Sequence, residues 1–204
     1  MLSSQRPLRW RPHRKRGSRS RPPPESAPVP QQLSLHSPVG DLTISGDGGA
    51  IVAIDWGWVE EQTPTLLLLA ARDQLHAYFD GKRLAFDLPL APAGTAYQRR
   101  VWQALCEIPP GSTRTYADIA RAVGGSPRSV GGANGRNPIP IVIPCHRVVA
   151  TTGIGGYSGG DGLPTKQWLL ALEGVPATAD DLFTPRTRSQ APVPHSTTAS
   201  RNPT

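Results

Sequence analysis

Proline and glycine hold 23 and 21 of the 204 positions, about a fifth of the chain and well above average usage. Both residues favour turns and linkers over helix interiors and central strands. The prolines are also unevenly placed. Residues 1–32 combine seven of them with eight basic residues and one acid, a local net charge of +7. Such a segment buries too little apolar surface to offset its ordering entropy and is expected to be a disordered tail. Residues 177–204, rich in Thr, Ser and Pro with net charge +1, are expected to be a second one. Residues 33–176 remain to fold, and their net charge is −1. The whole-chain charge of +7 is thus a property of the tails. Within the foldable part, 33–93 carries −5 and 94–176 carries +4, so only the second half points to a polyanionic partner.

The longest apolar runs, Leu66 to Ala71 and Ile139 to Pro144, fall far short of the roughly 20 residues a bilayer demands. The N-terminus is arginine-rich with no apolar stretch behind it, unlike a signal peptide. Two cysteines, Cys106 and Cys145, exclude a disulfide scaffold and a cysteine-built zinc site. A soluble, cytoplasmic protein without membrane association is expected.

Leu33 to Leu35, Leu42 to Ile44 and Ile51 to Ile54 are separated by turn chemistry and predict three strands of an antiparallel meander. Helical spacing follows from Thr65 to Phe79, with Thr63 or Thr65 as cap and Gly81 as stop. Residues 33–93 therefore read as a small α/β domain, with 82–93 a further strand or loop. The second half, 94–176, reads as mainly helical. Thr95 caps a helix to Glu107, Thr115 opens one from Tyr116 to Val123, and Pro127 leads a third, Arg128 to about Asn134, across the Gly124-Gly125 turn. The last two make a helix-turn-helix pattern. Proline excludes helix and central strand from Asn137 to Pro144, and a final helix spans Thr165 to Glu173 with Trp168, Leu169 and Leu172 on its apolar side.

Chemistry concentrates at Pro144-Cys145-His146-Arg147. A thiol attacks only as thiolate, and a neighbouring base or cation must help to make it one. A bare Cys-His dipeptide is more often packing than catalysis. Cys106, beside Leu105 on a helix, reads as packing alone.

The surroundings of Cys145 change that balance. The run from Arg128 through Gly132, Ala133, Arg136 and Asn137 to Val149 resembles the signature of O6-alkylguanine-DNA alkyltransferases. Tyr97 to Trp102, Pro110 to Tyr116, Gly156 to Gly160 and Lys166 to Glu173 are similar to the same family in the same order. The likeness is tight over 95–175 and looser over 33–94. It implies that Cys145 accepts an alkyl group from guanine O6, that His146 takes the thiol proton, and that Glu173 orients the imidazole. It implies that Tyr116 donates to guanine N3, that Tyr157, Ser158 and Val148 meet the substrate, and that Asn137 braces the active-site loop. Arg128 would fill the stack left by a flipped base, with Gly132, Ala133, Arg136 and Arg147 also at the DNA, and Arg99, Arg100 and Arg114 as further phosphate contacts. The spacing from Tyr116 to Arg128 is about two residues shorter than usual in the family, which implies a tightened turn. The implied partner is double-stranded DNA containing alkylated guanine, with O4-methylthymine as a second lesion. The protein would act as a monomer, without metal or cofactor, and be spent after one transfer. Two other readings stand beside this one: a non-catalytic DNA-binding relative, disfavoured by the cysteine, and a Cys-His hydrolase, which would turn over repeatedly.

Overall fold

The computed structural model describes residues 31–175. The tails expected at 1–32 and 177–204 lie outside them, except for Gln31 and Gln32. These two open strand β1 (Gln31–Leu35) rather than ending a tail. Their backbones pair with Gly46 and Ser45, and the Gln32 amide donates to Ser45 Oγ at 3.1 Å. Ladder hydrogen bonds outweigh the polar composition that assigned them to the tail.

β1 pairs antiparallel with β2 (Leu42–Asp47), and β2 with β3 (Ala50–Trp56), as the meander predicts. Leu33, Leu35, Leu42, Ile44 and Ile54 bury against helix α1 (Leu66–Phe79), which answers with Leu68, Ala71, Leu75 and Tyr78. Thr65 is the cap, its hydroxyl accepting from the Leu68 amide. Residues 82–93 run mostly as loop, although Leu90 bridges to Ile51 beside the sheet.

The second half is built on helices α2 (Ala96–Cys106), α3 (Tyr116–Val123), α4 (Pro127–Asn134) and α5 (Leu163–Leu172). Thr95, Thr115 and Ser126 each close a capping box, satisfying amides that would otherwise lack partners. Gly124 and Gly125 take φ of 77° and 120°, which lets α3 turn directly into α4. The buried Trp102 indole of α2 donates to the Ala133 carbonyl at 2.9 Å and fixes α4 against the core. Sequence periodicity did not foresee strands β4 (Arg114–Thr115) and β5 (Val148–Val149), a two-residue parallel pair set by chain packing rather than local pattern.

The halves are joined through the segment that leads to Cys145. The Ile54 amide of β3 donates to the Pro138 carbonyl at 2.8 Å, so this segment rests on the N-terminal sheet. Among the described residues, no helix is long and apolar enough to cross a membrane.

Candidate active site

Residues 137–144 form neither helix nor strand, as their prolines require. Ile141 sits at φ 72°, a strained conformation for a β-branched side chain. Asn137 holds the loop in it: its amide donates to the Ile143 carbonyl at 2.8 Å, and its oxygen accepts from the Ile139 amide at 3.0 Å. The chain then enters a short 3-10 turn, Cys145–Arg147, whose three side chains are all buried.

Cys145 faces a cleft of about 270 Å³ lined by Trp56, Asn134, Asn137, Pro140, Tyr157 and Ser158 among others. Burial pushes its thiol pKa up, against the opposing influence of the Asn137 and Tyr157 side chains and the Lys166 charge. The resting group is therefore a thiol that needs a base. His146, the next residue in the chain, is 0% exposed. Burial lowers its pKa although Glu173 pulls the other way, so the ring is neutral. Its Nε2 lies 2.9 Å from Glu173 Oε1. Burial alone would protonate Glu173, but hydrogen bonds from His146 and Arg147 outweigh it and hold the pKa at about 2. An ionised carboxylate can only accept, so Nε2 carries the hydrogen and Nδ1 keeps its lone pair. Nδ1 is buried without a protein partner, free to receive a proton.

Lys166 and Tyr78, unassigned by sequence, complete the surroundings. Lys166 Nζ donates to the carbonyls of Val148 at 2.6 Å and Gly156 at 3.1 Å, linking α5 to both sides of the site. Burial lowers its pKa to about 8. A lysine one turn from Leu169 and Leu170 on an apolar helix face was the available signal. Tyr78 of α1 donates to Glu173 Oε1 at 2.8 Å, and no local pattern could announce that pairing.

The other expected residues divide. Tyr157 lines the cleft with its hydroxyl buried, Ser158 lies at the mouth, and Tyr116 is half-buried nearby, its hydroxyl 3.4 Å from the Gly156 carbonyl. A side chain on Gly159 would overlap the Trp56 ring, so that indole packs directly on the loop carrying Tyr157 and Ser158. Arg128 is exposed at the second position of α4, and Arg136 is exposed beside Gly132, whose carbonyl it bonds at 3.0 Å. Arg114 is exposed, Arg100 lies over the Tyr97 ring at 5.6 Å, and Arg99 turns back to the Gly94 carbonyl.

Two expectations are corrected. Arg147 is no DNA-facing residue: it is buried, clamps Glu173 with two bonds of 2.8 Å, and donates to the Ile108 carbonyl at 2.6 Å. A guanidinium fork matches a carboxylate, and the buried carboxylate here captures it. Ala133 is buried against Trp102 and so faces the core, away from any DNA surface. Val148 is fully buried in β5, where its carbonyl accepts from Lys166. Cys106 is packing, as expected: burial pushes its thiol up to about 12, and no base activates it.

Comparison with known proteins matches this arrangement at the level of the whole folded region. The family described as 6-O-methylguanine DNA methyltransferase matches twice, its ribonuclease-like domain at residues 33–92 and its DNA binding domain at 96–175. The chain belongs to this family. A methylated-DNA–protein-cysteine methyltransferase of Methanosarcina barkeri is 43% identical over 153 residues, covering 68% of this chain and 94% of the relative. The crystal structure of the Mycobacterium tuberculosis O6-methylguanine methyltransferase has a TM-score of 0.63 at 40% identity, covering 71% of this chain and 93% of that one. The structure of Mycobacterium tuberculosis OGT in complex with DNA has a TM-score of 0.64 at 40% identity, covering 76% and 99%. The α/β domain followed by helices is thus the family fold.

Proposed function

We propose that this protein repairs alkylated DNA by moving an alkyl group from guanine O6 to its own Cys145. The observation that carries the reading is the Glu173–His146 pair behind a buried thiol, beside a cleft in a domain that also holds a helix-turn-helix. His146 Nδ1 accepts the thiol proton, directly or through one water, as Sγ attacks the alkyl carbon. The S–C bond forms, the C–O6 bond breaks, and its electron pair returns to the purine. Tyr116 donates to ring N3 as that charge develops, and the thiol proton finally resides on neutral guanine. The product thioether has no hydrolytic exit, so each chain acts once.

A base stacked in a duplex cannot reach a buried sulfur, so the nucleotide must flip out at a cost of a few kcal/mol. Arg128, exposed at the start of α4, suits the vacated stack. Tyr157 and Ser158 would contact the flipped base, and one chain supplies every residue involved.

The test is direct. Duplex DNA carrying O6-methylguanine is incubated with the protein, and the Cys145 peptide is weighed; a gain of one methyl group is expected, and none with Cys145→Ala. O4-methylthymine duplex is run in parallel. An unmodified peptide overturns the proposal, and more than one turnover per chain replaces it with a hydrolase. Arg128→Ala should slow transfer from duplex more than from free O6-methylguanine; equal losses would remove Arg128 from flipping.

A further inference from the structure

Tyr78 lies on α1 of the N-terminal domain, 95 residues before Glu173, yet its hydroxyl donates to the same carboxylate oxygen that faces His146. Its ring is 0% exposed and packs on Phe86 at 5.3 Å and Phe79 at 5.6 Å, so its position is dictated by the N-terminal core. We infer that Tyr78 is a positioning residue for the transfer, holding Glu173 Oε1 against His146 Nε2 so that the N-terminal domain helps to prepare the base. The inference rests on the proposed function and extends it to a residue outside the alkyl-transfer domain.

The chemistry follows from what each donor contributes. Arg147 anchors both oxygens of Glu173 and supplies charge, but it lies on the same short turn as His146 and moves with it. Tyr78 ties the carboxylate to helix α1 of the N-terminal domain. A buried phenol with an ionised acceptor stays protonated, as burial and the Glu173 charge ensure, so it remains a donor throughout the pH range of the reaction. Around the pair stand Arg147 and the more distant Lys166, which disfavour protonation of His146. Cys145 is the proton source, Tyr157 interacts with Tyr78, and Cys106 stays a neutral thiol near Arg147. None of these groups replaces the lost donor when Tyr78 becomes phenylalanine. The carboxylate then becomes more basic and draws a proton onto His146 more readily.

The test uses the full chain, Tyr78→Phe and, as a packing control, Phe86→Leu, which loosens the same cluster without touching Glu173. His146 is titrated by NMR, and the single-turnover rate with O6-methylguanine duplex is followed across pH. In Tyr78→Phe the His146 titration and the acidic limb of the rate should both move to higher pH, by about half to one unit. The rate below that limb should fall several-fold, and Phe86→Leu should lower the melting temperature without moving either curve. Coincident titration curves for wild type and Tyr78→Phe overturn the inference, as does an equal shift in Phe86→Leu. If the wild-type chain transfers nothing, the functional reading fails while the NMR titration still decides the role of Tyr78.

Discussion

Glu173 accepts four hydrogen bonds from three side chains, which makes it the most connected polar residue of the site. Replacing it with glutamine leaves the Arg147 charge buried without its counter-ion. Breaking a buried pair in this way costs about 3–5 kcal/mol, and Glu173→Gln should show that loss in urea unfolding, with transfer slowed at least about a hundredfold. The same carboxylate governs acid stability. Its pKa of about 2 lies below the ordinary 4.5, so its contribution is complete above pH 4.5 and disappears as pH falls toward 2. Melting temperatures measured from pH 7 to pH 3 should drop below pH 4.5, and the drop should be shallower in Glu173→Gln. Parallel declines would exclude Glu173 from the acid transition. At this scale the sequence singled out Cys145 and His146, which the structure buries side by side in one short turn, but mistook Arg147. A side chain's direction depends on which buried charge awaits it, and no spacing along the chain records that.

The helix-turn-helix depends on two adjacent glycines that differ in their surroundings. A Cβ on Gly124 would meet nothing within 4 Å, whereas one on Gly125 would sit 2.6 Å from the Tyr97 hydroxyl and 2.9 Å from Ser129 Oγ. Gly124→Ala should therefore meet no neighbour and carry only the backbone penalty of φ 77° with ψ 145°, close to a region almost reserved for glycine, about 1–3 kcal/mol. Gly125→Ala should cost more, displace α4 and weaken duplex binding. Equal thermal and DNA-binding losses for the two variants would refute the distinction. On the other side of the cleft, Trp56 braces the loop that holds Tyr157, its indole anchored to the Val39 carbonyl at 3.0 Å. Trp56→Ala should slow transfer several-fold while β2 and β3 remain paired, as amide exchange would report; a rate equal to wild type would deny the brace. Caps and turns were readable because they are local: Thr65, Thr95 and Thr115 stand where side-chain oxygens are needed. Strands β4 and β5 were not, because two residues hold no period.

Across the whole molecule, charge is divided between a N-terminal segment of +7 and an acidic and a basic half. Phosphate binding by such a segment is counter-ion-driven and falls steeply with salt. Deleting residues 1–30 should weaken duplex binding at low salt and flatten its salt dependence, while transfer from free base stays unchanged. A loss of that transfer would give the segment a part in the chemistry. The two halves also act as one unit at the site: Ile54 holds Pro138, Trp56 covers the loop after β5, and Tyr78 reaches Glu173. By itself the sequence determined the three-strand meander, the starts of α1 to α4, which cysteine stands beside a histidine, and which half carries positive charge, because these follow from nearest neighbours along the chain. Only the tertiary structure decided that Arg147 and Ala133 turn inward and that an N-terminal tyrosine reaches Glu173. Those outcomes depend on which groups share a water-excluded space, where an unpaired charge or donor is too costly to persist.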